Sequence, residues 1–282
     1  MDVTLHPVRP YSLAQSAAHP TPSRRTGGAT VETVYEAGGH PAHAVVAQRP
    51  DGSLAARIDS RAPDEALEKL RFILALDVDH RPFLDMADAD PLLGPLVARR
   101  RGLRPMRAGT VAHATLQAIA GQLITAREAR RIEHRICARV GRQHMGLVLP
   151  PTAADLQALS SADLTRLGLA PRRAAALARI VRTVDLERLH EMQTRQVVAR
   201  ITRERTMGPW SAGVIAFTGL GRYEQGLVGD LGLIRLCSNL LGRPADETDT
   251  ARLLARYGDW AALAGAHLLG HPLARQRTAS AA

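Results

Sequence analysis

The chain has 282 residues, 45% of them hydrophobic, which is enough for a sizeable core and too apolar for a disordered chain. Its formal net charge is +10, with 37 lysines and arginines against 27 acids, and this basic excess points to a polyanionic partner, most simply nucleic acid. No apolar run reaches the length of a membrane span, and two cysteines, Cys137 and Cys237, cannot build a Cys-rich zinc site or a four-cysteine iron–sulfur site.

Residues 1–28, with "HPTPSRRTGG", are rich in Pro, Ser, Thr and Gly and are expected to form a flexible tail. They lack a basic-then-apolar leader, so the expected location is cytoplasmic, in association with the nucleoid, where a disulfide between the two cysteines is disfavoured. Residues 30–58 carry the strand-like pieces "TVETVYEA", "HAVVAQ" and "SLAARI". The Asp-Gly of "RPDGS" predicts a hairpin between the last two. "APDEALEKLRFILAL" predicts a helix: Pro63 suits a first turn, Asp64 and Glu65 favour its positive end, and Leu67, Leu70, Ile73 and Leu74 share a face. "ARRRGLRP", residues 98–105, reads as a solvated charged face, with phosphate contact as the alternative. A small mixed α/β domain with connecting helices is thus expected over residues 29–105.

After residue 105 the strand signal disappears. "VAHATLQAIAGQLITAREARRIEHRICARV" has a helical period over most of its length. Thr152 can cap a short helix, and Ser160 with Asp163 fits a capping box. Pro171 opens "PRRAAALARIVRTV", amphipathic through Ala175, Leu177, Ile180, Val181 and Val184. Further helices fit residues 194–203, 210–218, 230–241, 248–256 and 259–269. The expected fold is therefore mostly α: a helical body over residues 106–282 after a small mixed α/β N-terminal domain.

The stretch "MGPWSAGVIAFTGLGRYEQGLVGDLGLIRL" concentrates the functional signals. Gly208 permits a close approach or a positive φ, and Pro209 is pre-set for a first helical turn whose free N–H groups could take a phosphate. Asp230 is a lone carboxylate among glycines and apolar residues. It is either a helix N-cap or a reactive group.

Several stretches together resemble the helix-hairpin-helix DNA glycosylase superfamily, in particular its 3-methyladenine DNA glycosylase II branch. "ERTMGPWSA", residues 204–212, fits the second half of the family's Leu-Pro-Gly-Ile-Gly-Pro-Trp-Thr/Ser-Ala hairpin. Asp230, in "VGDLGLIRL", stands where the family's acid opens the next helix. "AIAGQLIT", "DLQALSSADLTRLGLAPRRAAALARIV" and "HRPFLDMADADPLLGPLVARRRGLRP" match three further family segments, so the resemblance covers roughly residues 70–270.

The resemblance implies a monofunctional DNA glycosylase that flips an alkylated purine out of double-stranded DNA and hydrolyses its N-glycosidic bond. Asp230 would stabilise the oxocarbenium-like transition state. The lysine of the bifunctional relatives follows the hairpin glycine, where this chain has Pro209 and Trp210. Lys69 is the only lysine in the chain, so no Schiff-base lyase chemistry is expected. Leu123 matches the residue that fills the gap left by the flipped nucleotide, with core packing beside Ile119 and Ala126 as the alternative. Trp210, Val214 and Leu269 fall at base-pocket positions, with a hairpin-core residue as the alternative for Trp210. Gln122, Thr206, Gly208 and Ser211 fall at DNA-binding positions, and Gln122 could instead serve a structural hydrogen bond. No resident cofactor or catalytic metal is expected, although hairpin carbonyls in the family can hold a monovalent cation. A monomer is expected.

The chain also departs from the pattern. Thr206 replaces the first hairpin glycine and would resist a positive φ, and Arg205 replaces the usual proline. Val214 and Leu269 stand where relatives often have a tyrosine and a tryptophan. With only 3% aromatic residues, stacking on cationic bases should be weaker and the substrate range different. A catalytically inert helix-hairpin-helix DNA binder is the competing reading. "GLGRYEQG" as a dinucleotide loop and His40 with His43 as a metal pair are weaker ones.

Overall fold

Alternation of buried and exposed residues builds the N-terminal layer. In the computed structural model, which describes residues 1–17 and 20–275, five strands form one antiparallel sheet in the order β1-β5-β4-β3-β2. They are β1 (Asp2–Leu5), β2 (Arg24–Gly27), β3 (Thr30–Ala37), β4 (His40–Gln48) and β5 (Leu54–Ser60). Ala42, Ala44 and Val46 on β4 and Leu54, Ala56 and Ile58 on β5 are the buried alternate positions. Gly38 and Gly39, both at positive φ, make the tight β3–β4 turn, and the predicted Asp-Gly turn joins β4 to β5. The helices α1 (Leu13–Ser16) and α2 (Pro63–Ile73) pack on the sheet, where Tyr35 Oη donates to the Ala66 carbonyl at 2.9 Å.

The expectation of a flexible tail over residues 1–28 is corrected. β1 pairs with β5, Val3 opposite Ala56, and β2 pairs with β3, so the N-terminal domain begins at the sheet's own edge strand rather than at residue 29. Leu5 and Leu13 are buried in the sheet's core. Arg104 fixes the segment further: its guanidinium donates to the Val8 and Pro10 carbonyls, and its backbone N–H donates to Ser16 Oγ at 3.0 Å. The solvated reading of residues 98–105 holds for the exposed Arg99 and Arg101, the latter paired with Asp88 at 2.6 Å, and is corrected for Arg104, which is 1% exposed.

The body is helical. It holds α3 (Arg81–Asp88), α4 (Gly94–Ala98), α5 (Val111–Gly121) and α6 (Ala126–Val140). A two-residue-per-strand hairpin, β6 (Gln143–His144) with β7 (Leu147–Val148), comes next. Then follow α7 (Ala153–Gln157), α8 (Ser161–Arg166), α9 (Pro171–Thr183), α10 (Thr194–Thr202) and α11 (Pro209–Val214), the last continued by a π turn over Ile215–Gly219. The chain goes on through α12 (Leu231–Leu241), α13 (Glu247–Ala255), α14 (Ala261–Leu268) and α15 (Pro272–Arg275). The predicted capping residues hold: Thr152 with Asp155 and Ser160 with Asp163 close full capping boxes.

α5 is the central helix. Its small and apolar residues are buried nearly all round, as a helix enclosed by neighbours requires. Thr110 caps it, and Glu187 Oε1 accepts the Val111 N–H at 2.9 Å. One apolar cluster lies between α5, α6, α9 and α10, and a second joins α3, α4, α12 and α14. Cys137 and Cys237 are free, buried, and belong to different clusters. No helix among the described residues is long and apolar enough to cross a membrane.

Candidate functional site

α10, the turn over residues 203–208 and α11 form a helix-hairpin-helix. Its left-handed residue is Thr206, at φ 78°, while Gly208 is extended at φ −87° and ψ −175°. Of the two roles open to Gly208, the positive φ is not the one adopted, and Thr206 does not abolish the turn. The conformation costs a non-glycine residue about 1–2 kcal/mol. It is held by Gln122 Nε2, which donates to the Thr206 carbonyl at 2.7 Å, and by the adjacent Met207, which is buried. A Cβ added at Gly208 would meet nothing within 4 Å, so the space beside it is open. The first turn of α11 has no side-chain cap, and its leading N–H groups have no intrahelical acceptor.

Gln122 ties α5 to the hairpin. It also donates to Ser211 Oγ at 2.9 Å. Ser211 is 2% exposed, which corrects its placement among DNA-binding residues: its hydroxyl positions Gln122 rather than facing outward. The backbone carbonyl of Gln122 accepts from Arg173 Nη1 at 2.7 Å. Arg173 was not legible as a site residue, because "PRRAA" gives no sign of which arginine reaches a helix fifty residues earlier.

Between these anchors lies Leu123. The helical run over residues 111–140 breaks here: α5 ends at Gly121, Gln122 is extended, and Leu123 is left-handed at φ 55°. Leu123 is 83% exposed, more than any other large apolar residue described. The alternative of core packing beside Ile119 and Ala126 is therefore removed.

Asp230 is the N-cap of α12, and its second oxygen is bound as well. Oδ1 caps α12, accepting the Gly232 and Leu233 N–H groups at 2.7 and 3.3 Å. Oδ2 accepts Trp210 Nε1 at 2.9 Å. The carboxylate is only half-buried, and both of its contacts fix its orientation. Trp210 lies over Gly121, where an added Cβ would come within 3.0 Å of the ring. Leu269 lies against Gly232, whose Cβ would meet it at 2.5 Å. Trp210, Val214 and Leu269 all border the α3–α4–α12–α14 cluster, half-buried. The fold thus brings Asp230, Trp210 and Leu269 together at the start of α12, with Gln122, Leu123, Thr206 and Gly208 at the adjoining hairpin edge.

Lys69 belongs to α2, beside the sheet. Its ammonium lies 5.3 Å from the centroid of the Phe72 ring, and burial pulls its pKa down. His43 Nε2 is 3.1 Å from Glu32 Oε1, and no cluster of three or more His, Cys, Asp or Glu among the described residues could hold a metal ion. In "GLGRYEQG", Arg222 donates to the His190 carbonyl at 2.8 Å, and Gly226 packs against Leu254, so this loop serves packing.

No family model matches the chain. A probable bifunctional transcriptional activator/DNA repair enzyme AlkA of Mycobacterium tuberculosis is 28% identical to it over 218 residues, which is 74% of this chain and 43% of that protein. The chain therefore spans less than half the length of this curated relative. The 3-methyladenine DNA-glycosylase of Archaeoglobus fulgidus shares its fold, with a TM-score of 0.81 at 19% identity over 95% of this chain and 97% of that one. An 8-oxoguanine glycosylase/lyase of Clostridium acetobutylicum does so with a TM-score of 0.76 at 15% identity, over 95% of each chain. The chain thus resembles the first in sequence and has the fold of the other two, that of the helix-hairpin-helix DNA glycosylases.

Proposed function

We propose that the protein is a monofunctional DNA glycosylase that releases alkylated purines from double-stranded DNA as a step in base excision repair. The observation that carries this is the oriented Asp230 carboxylate at the junction of the hairpin helix and α12. Cleavage of the glycosidic bond leaves positive charge on the sugar. A fixed carboxylate beside that sugar stabilises the charge and can orient or deprotonate the attacking water. An alkylated purine is often already cationic and leaves with little acid assistance, so one carboxylate can suffice. Trp210, Val214 and Leu269 would border the flipped base, and the hairpin N–H groups near Gly208 would take a phosphate. A monovalent cation would use hairpin carbonyls, of which that of Thr206 already accepts from Gln122.

The test is base release from methylated duplex DNA with strand products separated and borohydride present. The expected result is free alkylated base, an abasic strand with its backbone intact, and no covalent adduct, since Pro209 and Trp210 occupy the amine's place. An adduct that persists, or strand cleavage in step with base release, would replace hydrolysis by lyase chemistry. A non-catalytic DNA binder is the second reading. It is favoured by one observation: both oxygens of Asp230 already accept hydrogen bonds. Lesion binding without any base release would select it.

In the glycosylase reading Leu123 fills the gap left by the flipped nucleotide. Leu123→Ala should weaken binding to an abasic duplex by roughly 1–3 kcal/mol and leave undamaged duplex nearly unaffected. Because the side chain is 83% exposed, the melting temperature should not fall. Competition binding on the two duplexes checks this, and equal losses on both would end the wedge assignment.

A further inference from the structure

One face of α6 carries a row of basic side chains that the protein itself leaves largely unneutralised. Arg127, Arg130, Arg131, His134 and Arg135 recur at three- and four-residue spacing and, with Pro20, line a single open groove. Arg127, Arg130 and Arg131 make no hydrogen bond or ion pair among the described residues. Some exposed arginines elsewhere do, Arg101, Arg243 and Arg256 each holding a carboxylate at 2.6 to 3.0 Å, while others such as Arg195 and Arg205 do not; what sets the row apart is its clustering in one groove. Of the two acids within the row's span, Glu133 turns inward to His113 at 2.7 Å and is 5% exposed, while Glu128 is exposed in the first turn and forms no ion pair with the row. Like charges at such spacing cost a helix a few tenths of a kcal/mol per pair, so the row opposes the helix that carries it. A polyanion laid along the groove would reverse that.

The location says which polyanion. α6 is capped by Thr125, two residues after Leu123, so the row starts at the exposed leucine and leads away from it. From residue 127 to residue 135 a helix advances about 12 Å, the rise of roughly three to four base pairs. We propose that this row is a second line of phosphate contacts, gripping the duplex on one side of the lesion beyond Leu123. The proposal rests on the glycosylase reading. Because phosphates carry no sequence or lesion information, the row should strengthen damaged and undamaged DNA binding alike.

The test compares full-length wild type with an Arg127→Gln/Arg130→Gln/Arg131→Gln variant by salt titration. Duplexes would have both flanks long, or either flank cut to two base pairs. Three lost contacts should lower the slope of log affinity against log salt by about 2.7, on damaged and undamaged duplex equally. That difference should vanish when one particular flank is cut and persist when the other is. Single-turnover base release at saturating enzyme should be unchanged, which separates the row from the chemistry. An unchanged slope in a wild type that binds and excises would overturn the proposal, leaving an acidic protein as the surface's partner. Equal sensitivity to both flanks would overturn the one-sided placement. A wild type that neither binds lesion DNA nor releases base would sink the glycosylase reading and the row's role together.

Discussion

Asp230→Asn should fold, bind abasic duplex as wild type does, and release alkylated base at least ~100-fold more slowly. Asparagine is as good an N-cap as aspartate, so the first turn of α12 keeps an acceptor for its N–H groups. One amide oxygen cannot serve both that turn and Trp210 Nε1, so one hydrogen bond is lost, at about 1 kcal/mol. A change that small leaves the fold standing while removing the negative charge, and the loss of rate then reports the charge. Single-turnover release measured beside thermal melting makes the comparison. Release near the wild-type rate would reduce Asp230 to a cap.

Stability should peak near neutral pH and fall by several kcal/mol towards pH 4. His80 and His267 are 3% and 2% exposed. Burial, aided by Arg104 for His80 and by Arg100 for His267, pulls each imidazole down to about 4. In the unfolded chain both titrate near 6.5. Their contribution is therefore complete above that value and shrinks as pH falls towards 4, where the unfolded chain takes up protons the folded one refuses. At about 1.4 kcal/mol per unit, each histidine contributes on the order of 3 kcal/mol. His113 has the opposite sign. Burial disfavours its charge, but Cys137 and the Glu133 carboxylate outweigh that and raise it to about 10. Its stabilisation is present below its unfolded value and is lost as pH climbs through 10. Urea midpoints at about pH 4.5, 6.5 and 9 would trace the dome. A profile flat from acid to neutral would show that the two rings are not held neutral.

What could be read in advance was local. Pro63, the Asp51–Gly52 turn and the boxes at Thr152 and Ser160 act within four residues of themselves, and each stands as expected. Asp230 was legible as a cap from its place before "LGLIRL". What failed was long-range. β1 is a strand because β5, some fifty residues away, offers it an edge, and its own composition says nothing of that. Ser211 stands at a DNA-binding position of the family's hairpin pattern, but Gln122 arrives from another helix and the Ser211 hydroxyl turns inward to it. Leu123 fitted a helical face until Gly121 ended the helix and Arg173 took the next carbonyl. The arginines of α6 were in plain view at helical spacing. Which of them would find a carboxylate was settled only by the packing around them.

Leu123 is braced on its N-terminal side by Gln122, whose side chain holds the hairpin and whose carbonyl is held by Arg173. Its left-handed backbone is thus set within the protein itself, and if this edge receives DNA the ordering that binding normally demands of a loop has already been met. On the glycosylase reading this divides the labour in time. Long-range attraction by the basic surface governs how often duplexes are met, and a leucine already in position governs how long a damaged one is kept. Lesion discrimination would then lie in residence time, with encounter rates nearly blind to damage.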